Sequence, residues 1–220
     1  LADPELEIAD FQGEECWVGL DLASKIDLAA AIILFRRYID GVAHWFVFLR
    51  SYVPESQVKG ASGVAHYKGW QKEGRLIVTP GEITDYEWIE EDLMDLGAKH
   101  QIQTVGFDPH NATYLITRLQ KQLGEDVAVE VPQTILHLSE PMKEVQALIE
   151  AGRIHHDGDP VLSWAIGNVT HHEDRNQNVF PRKERPEKKI DPAVALIIAT
   201  GMTMIEPEQP ATPSITVIGR

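Results

Sequence analysis

Residues 17–52 read WVGLDLASKIDLAAAIILFRRYIDGVAHWFVFLRSY, and they give the clearest indication of the fold in this sequence. It holds three apolar or alternating runs, WVGLDLA, LAAAIILFRRY and HWFVFLRSY, which are separated by the short segments SKID and IDG. Runs of this kind with turn residues between them are typical of neighbouring β-strands. The stretch therefore predicts a strand meander.

Strands and helices alternate after the meander. Residues 53–82 lack clear periodicity and predict a long, partly ordered insertion that ends in a short strand. The helix TDYEWIEEDLMDLGAKH, with Thr84 as its predicted cap, precedes the strand QIQTVGFD, the helix PHNATYLITRLQKQLG and the strand DVAVEVP. Such alternation is typical of parallel βαβ units.

The last third of the chain predicts three further helices, namely SEPMKEVQALIEAG with Ser139 as its cap, DPVLSWAIGNV, and the strongly apolar DPAVALIIATGMTM. The segment VTHHEDRNQNVFPR suits a hairpin or an exposed loop. The whole order predicts an α/β fold with a central mixed β-sheet flanked by α-helices.

Charge and composition limit the class of protein. The formal net charge of −14 argues against a protein that coats nucleic acid, because phosphate neutralisation drives such binding. The single cysteine, Cys16, excludes an internal disulfide and a cysteine-based zinc cluster, which favours a reducing cytoplasm. No apolar run approaches the roughly 20 residues of a membrane span. The chain starts with neither a methionine nor a secretory signal, so we expect a fragment of a longer protein.

A basic stretch near the end offers a nucleic-acid contact in spite of the overall charge. It reads RKERPEKK, and its candidate phosphate-binding residues are Arg182, Lys183, Arg185, Lys188 and Lys189. The alternative is a solvated loop whose charge is moderated by Glu184 and Glu187.

Other conspicuous side chains favour ordinary structural roles. The pairs His155–His156 and His171–His172 are more typical of solvated polar loops than of a metal site. The aromatic residues of the insertion, His66, Tyr67 and Trp70, are expected to attach it to the core rather than to stack on bases.

Three aspartates end or begin core elements, namely Asp21 in GLDLAS, Asp108 in GFDPHNA and Asp191 in KIDPAVAL. A carboxylate at the rim of a buried strand is costly unless it is paired or bound to a metal, and oxygen ligands suit Mg²⁺ or Mn²⁺. Asp108 and Asp191 both precede proline, so from the residues alone helix capping is favoured for these two. For Asp21 a strand-end turn and a metal ligand are equally good interpretations.

The chain from about residue 17 to 204 resembles the C-terminal nuclease domain of tailed-phage terminase large subunits. GLDLA, GFDP and KIDPAVAL match the family's G-x-D-x-A, G-x-D-P and K-x-D-G-x-x-A-L segments, although Pro192 stands where the family usually has glycine. WQKEGRLIVTPGEITDY and PVLSWAIGNVTHHEDRNQNVFPRK resemble two further family segments. The resemblance rests on five motifs in the same order.

The resemblance implies a ribonuclease H-like fold and a DNA endonuclease that cuts concatemeric viral DNA during packaging. Asp21, Asp108 and Asp191 would hold two divalent ions, Mg²⁺ or Mn²⁺, and Asp27 is a further candidate acid, although a turn role is more ordinary for it. Residues 1–16 would be a linker from an absent N-terminal ATPase domain, residues 17–205 the nuclease domain and residues 206–220 a flexible tail.

The implied partners are double-stranded DNA, a packaging ATPase domain in the same polypeptide, the terminase small subunit and the portal protein, in the host bacterial cytoplasm. The ATPase would lie upstream, because the chain contains no G-x-x-x-x-G-K-[ST] motif. Two other interpretations stay open. One is a resolvase or transposase-like nuclease of the same fold, and the other is an inactive module that docks on the portal or procapsid.

Overall fold

The computed structural model describes residues 1–22, 26–59, 66–109 and 113–205 of the chain. The strands are β1 (Glu15–Asp21), β2 (Ala29–Ile39), β3 (Val42–Pro54), β4 (Ile77–Thr79), β5 (Gln101–Phe107), β6 (Ala128–Glu130), β7 (Ile154–His156), β8 (Val169–Glu173) and β9 (Val179–Lys183). The helices are α1 (Glu55–Lys59), α2 (Tyr67–Lys72), α3 (Tyr86–Lys99), α4 (Thr113–Leu123), α5 (Ile135–Glu150), α6 (Pro160–Gly167) and α7 (Asp191–Thr203).

The central sheet has the order β4-β3-β2-β1-β5-β6, and β7 pairs with β3. The strand β2 pairs antiparallel with β1 on one side and with β3 on the other, which confirms the predicted meander. The strands β5 and β6 continue the sheet in parallel with β1, as the βαβ prediction requires. The predicted mixed sheet is therefore correct, and the predicted hairpin is the separate pair β8–β9.

Helices cover both faces of the sheet. One face, here called the α7 face, packs against α5, α6 and α7, and the opposite face packs against α3 and α4. The strand β2 is buried on both faces, because alternate residues such as Ile32 and Ile33 enter opposite clusters. This double burial explains why its sequence is almost uninterrupted in apolar residues.

Two predicted helix starts are wrong. Asp85 rather than Thr84 caps α3, and its carboxylate accepts a hydrogen bond from the backbone N–H of Glu87 at 3.0 Å. Ser139 lies inside α5, which begins at Ile135 and contains Pro141 in its interior. Proline is most common in the first helical turn, so its position suggested a later start. The helix extends further towards its N-terminus because that part buries Leu138 completely.

The segment 1–16, expected to be a linker, packs onto the domain. Near its start, the N–H of Asp3 donates a hydrogen bond to the carbonyl of His156 on β7 at 2.8 Å. A 3-10 helix at Ile8–Phe11 buries Phe11 completely, and its ring stacks on Phe35 with centroids 4.6 Å apart. Arg37 fixes the segment further by an ion pair with Glu14 at 2.6 Å. The predicted tail, residues 206–220, lies outside the described residues.

The insertion contains α1, α2 and β4, and residues 60–65 within it lie outside the described part. Tyr67 and Trp70 are buried and Trp70 packs edge-on against Trp164, which confirms that these two aromatic residues attach the insertion to the core. In the described ranges, no helix is both long and apolar enough to cross a membrane.

The two histidine pairs occupy strands rather than loops. His155 and His156 lie on β7, and the His155 ring makes a 2.8 Å hydrogen bond with the ring of His44. His171 and His172 are exposed on β8. β7 could not be predicted from the sequence, because this strand has only three residues, two of which are histidines.

Candidate metal centre

Asp21 and Asp108 stand at the carboxyl ends of two neighbouring parallel strands. Asp21 is the last residue of β1, and Asp108 comes directly after β5. The register pairs Leu20 with Phe107, so the two aspartates follow matched positions on strands roughly 4.8 Å apart. Gly19 lies against α7. Side chains two residues apart on a strand face the same side of the sheet, so Asp21 also points to the α7 face.

Asp191 begins the helix that lies on this face. A Cβ added to Gly19 would overlap the backbone of α7, with the nitrogen of Ala199 only 2.5 Å away, so the helix backbone rests directly on β1. The capping role favoured for Asp191 is wrong, because Ile190 is the N-cap and Asp191 is the first helical residue. Pro192 lies in the first turn, where a missing N–H costs nothing.

Asp27 is not a simple turn residue. It lies just before β2, whose Ala30 pairs with Asp21 across the sheet. One of its carboxylate oxygens accepts the backbone N–H of Leu28 at 2.8 Å, and the other accepts the ammonium of Lys189 at 2.6 Å. The structure therefore adds Asp27 to the group of acids near α7.

Burial controls the charge of Asp191. Its side chain is 7% exposed, and among the described residues its Oδ2 atom has no hydrogen-bond partner. Burial, and next the nearby charge of Asp27, raise the pKa of Asp191 to about 6, although Lys183 and Lys189 oppose the rise. A buried carboxylate oxygen of this kind fits a bound cation, which would replace the missing partner.

Two polar side chains, Gln133 and Tyr86, lie near Asp21. The amide of Gln133 donates a hydrogen bond to the Asp21 carboxylate at 3.2 Å. Burial, followed by the charge of Asp21, raises the pKa of Tyr86, whose hydroxyl donates to the carbonyl of Leu22 at 3.1 Å. Neither Gln133 nor Tyr86 was predicted from the sequence. The signal that could have found Gln133 was its position just after a parallel strand, at the edge where such sheets place their ligands.

The described residues contain no group of three histidine, cysteine or acidic side chains that could by itself hold a metal ion. The structure instead brings Asp27, Lys189 and Asp191 together, and places Asp21 and Asp108 at adjoining strand ends. All the candidate donors are carboxylate oxygens, the ligands that Mg²⁺ and Mn²⁺ prefer. Their chemistry, together with the unpartnered Asp191 oxygen, fits such an ion.

The basic candidates divide into two kinds. Arg182, Lys183, Arg185 and Lys188 are exposed on β9 and the segment after it. Lys189 differs from them because its ammonium is bound to Asp27 and its side chain is only 16% exposed. It belongs to the acidic site rather than to the exposed basic surface.

The sheet order and the helix on its α7 face define a ribonuclease H-like α/β domain. Residues 4–206 match the family model described as terminase large subunit, endonuclease domain. The chain belongs to this family.

Individual relatives agree with that assignment. The chain is 36% identical over 213 residues to protein YmfN of Escherichia coli strain K12. The matched region covers 92% of this chain and 46% of YmfN. The crystal structure of the HK97 bacteriophage large terminase is similar with a TM-score of 0.73 at 25% identity, covering 90% of this chain and 41% of that one. The chain thus spans less than half the length of either relative.

A more distant structure shares the fold. The large terminase (g2p) nuclease domain of bacteriophage SPP1, crystallised with bound Mn, has a TM-score of 0.53 at 13% identity, covering 91% of this chain and 92% of that one.

Proposed function

We propose that the domain is a divalent-metal-dependent endodeoxyribonuclease that cuts concatemeric viral double-stranded DNA during genome packaging. The observation that carries the proposal is the buried Asp191 carboxylate at the start of α7, whose Oδ2 has no hydrogen-bond partner among the described residues. The helix that carries Asp191 rests on β1 and β5, whose carboxyl ends carry Asp21 and Asp108, and this arrangement supports a shared site.

In this proposal Asp21, Asp108 and Asp191 hold two ions, Mg²⁺ or Mn²⁺, and Asp27 is an accessory ligand. The Mn bound to the SPP1 relative supports the choice of metal. Such ions supply an activated water nucleophile and neutralise charge on phosphate oxygens during hydrolysis. Gln133 orients the Asp21 carboxylate by its hydrogen bond, and burial excludes bulk water from Asp21 and Asp191.

The exposed basic residues of the β9 region are proposed to bind the DNA backbone. Lys183 lies near enough to Asp191 to influence its charge, so a phosphate held there would be close to the acidic site. Contacts of this type neutralise phosphates without reading bases, so sequence preference should be slight. We further propose an upstream packaging ATPase domain, the small subunit and the portal protein as partners, in the host bacterial cytoplasm.

A plasmid-nicking assay tests the activity. The wild-type domain should nick supercoiled plasmid with Mg²⁺ or Mn²⁺ and lose this activity in EDTA. Asp21→Asn and Asp191→Asn should each reduce the rate by at least about a hundredfold, the scale on which removal of a group that stabilises transition-state charge acts. Asp126→Asn is the matched control, because Asp126 is exposed and lies elsewhere on the surface.

Three outcomes would contradict the proposal. Nicking that persists in EDTA or in Asp191→Asn would exclude the metal mechanism. A strong preference for four-way junctions over linear duplex would favour a resolvase. Absence of metal-dependent cutting, together with intact binding to portal protein, would favour a docking module.

A further inference from the structure

We propose that Lys189 is a positioning residue that acts as an internal counter-cation. It holds Asp27 in the metal-free domain and releases this carboxylate when a divalent ion binds, so that it weakens metal binding. The inference rests on the proposed metal-dependent nuclease and deepens it.

The contacts of Asp27 are the first observation. Both of its carboxylate oxygens are already engaged, one by the N–H of Leu28 at 2.8 Å and the other by the ammonium of Lys189 at 2.6 Å. A metal ion that uses the second oxygen must displace the ammonium, since two cations cannot share one carboxylate oxygen without repulsion. Asp27 can therefore bind a metal ion through this oxygen only if the ion replaces the Lys189 ammonium.

The burial of Lys189 is the second observation. Lysine is almost never buried unless it is paired. The side chain of Lys189 is only 16% exposed and is paired with Asp27. The adjacent Lys188, in contrast, is exposed and makes no ion pair with another described residue. The carbonyl of Lys189 accepts a 3.0 Å hydrogen bond from the amide of Asn168. Its backbone is thus fixed at the entry of α7, and only the side chain needs to rotate for the exchange.

Electrostatics supply the reason for the contact. Asp27 and Asp191 lie near enough for their negative charges to interact. Without a metal these two carboxylates repel each other, and the Lys189 ammonium offsets part of that repulsion. A divalent ion brings twice the charge and prefers oxygen ligands, so it can take over the same role.

Titration of the domain with Mn²⁺ alone, measured by isothermal calorimetry without DNA, tests the proposal. Lys189→Met should bind Mn²⁺ more tightly than the wild type, on the order of tenfold, the range of coupling between directly interacting charges. Lys189→Arg, which keeps the positive charge, should stay near the wild type. Lys188→Met is the matched control, because it removes the same charge one residue away, and its dissociation constant should change less than about twofold.

Thermal melting in EDTA gives a second measurement. Lys189→Met should melt at a lower temperature than the wild type without metal, and Mn²⁺ should restore it more than it stabilises the wild type. If Lys189→Met does not fold in EDTA, Lys189→Gln replaces it with the same expectation.

The outcomes separate this inference from the proposed function. If the wild type binds no Mn²⁺, the metal-dependent nuclease itself is wrong. If the wild type binds Mn²⁺ but Lys189→Met binds it equally or more weakly, Lys189 has only a structural role and the counter-cation proposal is overturned. Adding Lys189→Met to Asp27→Asn should change the affinity little, and a full effect in that background would also overturn it.

Discussion

Asp191 carries an energetic cost that the metal-free domain cannot avoid. Its pKa is about 6 in the folded domain, above the ordinary aspartate value of 3.8, chiefly because of burial. The folded domain therefore binds more protons than the unfolded chain between these two values, and stability falls as the pH rises through this window. Above the folded pKa the full cost of the ionised carboxylate is present.

Asp191→Asn should remove this cost. We expect its free energy of unfolding in EDTA to exceed that of the wild type by roughly 3 kcal/mol at pH 8, since each pKa unit corresponds to about 1.4 kcal/mol. The gain should fall to about half at pH 5. Denaturant unfolding at both pH values measures it.

A second aspartate serves as the control for that measurement. Asp174 is half-buried, and hydrogen bonds from Asn178 lower its pKa, so Asp174→Asn should not stabilise the domain. An Asp191→Asn variant that is no more stable than the wild type at pH 8 would show that the charge of Asp191 is compensated.

At the same scale, the sequence showed which acids were unusual but not what they contact. Asp21 and Asp191 could be selected because each interrupts an apolar pattern. The pairing of Lys189 with Asp27 could not, because it joins residues 162 positions apart and depends on how α7 packs on the sheet. Asp27 was consequently interpreted as a turn residue, its local environment in SKID.

The element that places Asp191 is α7, and its position depends on two small residues beneath it. A Cβ added at Gly19 on β1 would lie 2.5 Å from the nitrogen of Ala199, and one added at Gly106 on β5 would lie 2.8 Å from Ile198 and Met202. A glycine inside a strand marks a site where another backbone approaches closely. The two glycines therefore set how near α7 lies to the sheet.

Gly19→Ala should move or loosen α7. We expect a loss of several kcal/mol in the free energy of unfolding, because the new methyl group meets backbone that no side-chain rotation can clear. Metal-dependent nicking should fall as well, since Asp191 moves with the helix. Denaturant unfolding and the nicking assay measure the two effects.

Gly69→Ala is the control, because it lies in α2 with nothing within 4 Å of the added Cβ, and it should be neutral or slightly stabilising. If Gly19→Ala is as stable as Gly69→Ala, the close approach of α7 does not constrain the site.

The elements also show the limit of periodicity as a guide. The meander was predictable because β2 and β3 are long, and burial on one or both faces leaves a clear pattern. The start of α5 was not, because Pro141 is a helix-start signal that the burial of Leu138 overrides. The three-residue β7 lacks a pattern of its own and is defined by its pairing with β3.

For the whole molecule, the net charge of −14 must be reconciled with the proposed DNA binding. We expect binding to depend on the exposed basic residues near β9. The double variant Arg185→Gln, Lys188→Gln should weaken duplex binding and reduce the slope of log affinity against log salt by about 0.9 for each phosphate that is no longer neutralised. Fluorescence anisotropy in Ca²⁺ at several salt concentrations measures both quantities.

The matched control is Lys121→Gln, an exposed lysine on α4 across the sheet from α7. An equal change of slope for each charge removed would mean that total charge, rather than the β9 region, governs the affinity.

The burial of α7 also determines how rarely this helix opens. Eleven of its thirteen residues are buried, so the helix cannot separate from the sheet without exposing the core on the α7 face. Its amide hydrogens should exchange with solvent only through opening of the entire domain, on the slowest timescale that the protein has. Asp191 therefore stays in place for as long as the domain is folded. The side chain of Lys189, just before α7, is free to reorient within nanoseconds once its ion pair with Asp27 is broken. The proposed metal centre would thus combine one carboxylate, Asp191, that stays in place as long as the fold persists with one contact, from Lys189 to Asp27, that breaks and re-forms many times in that period.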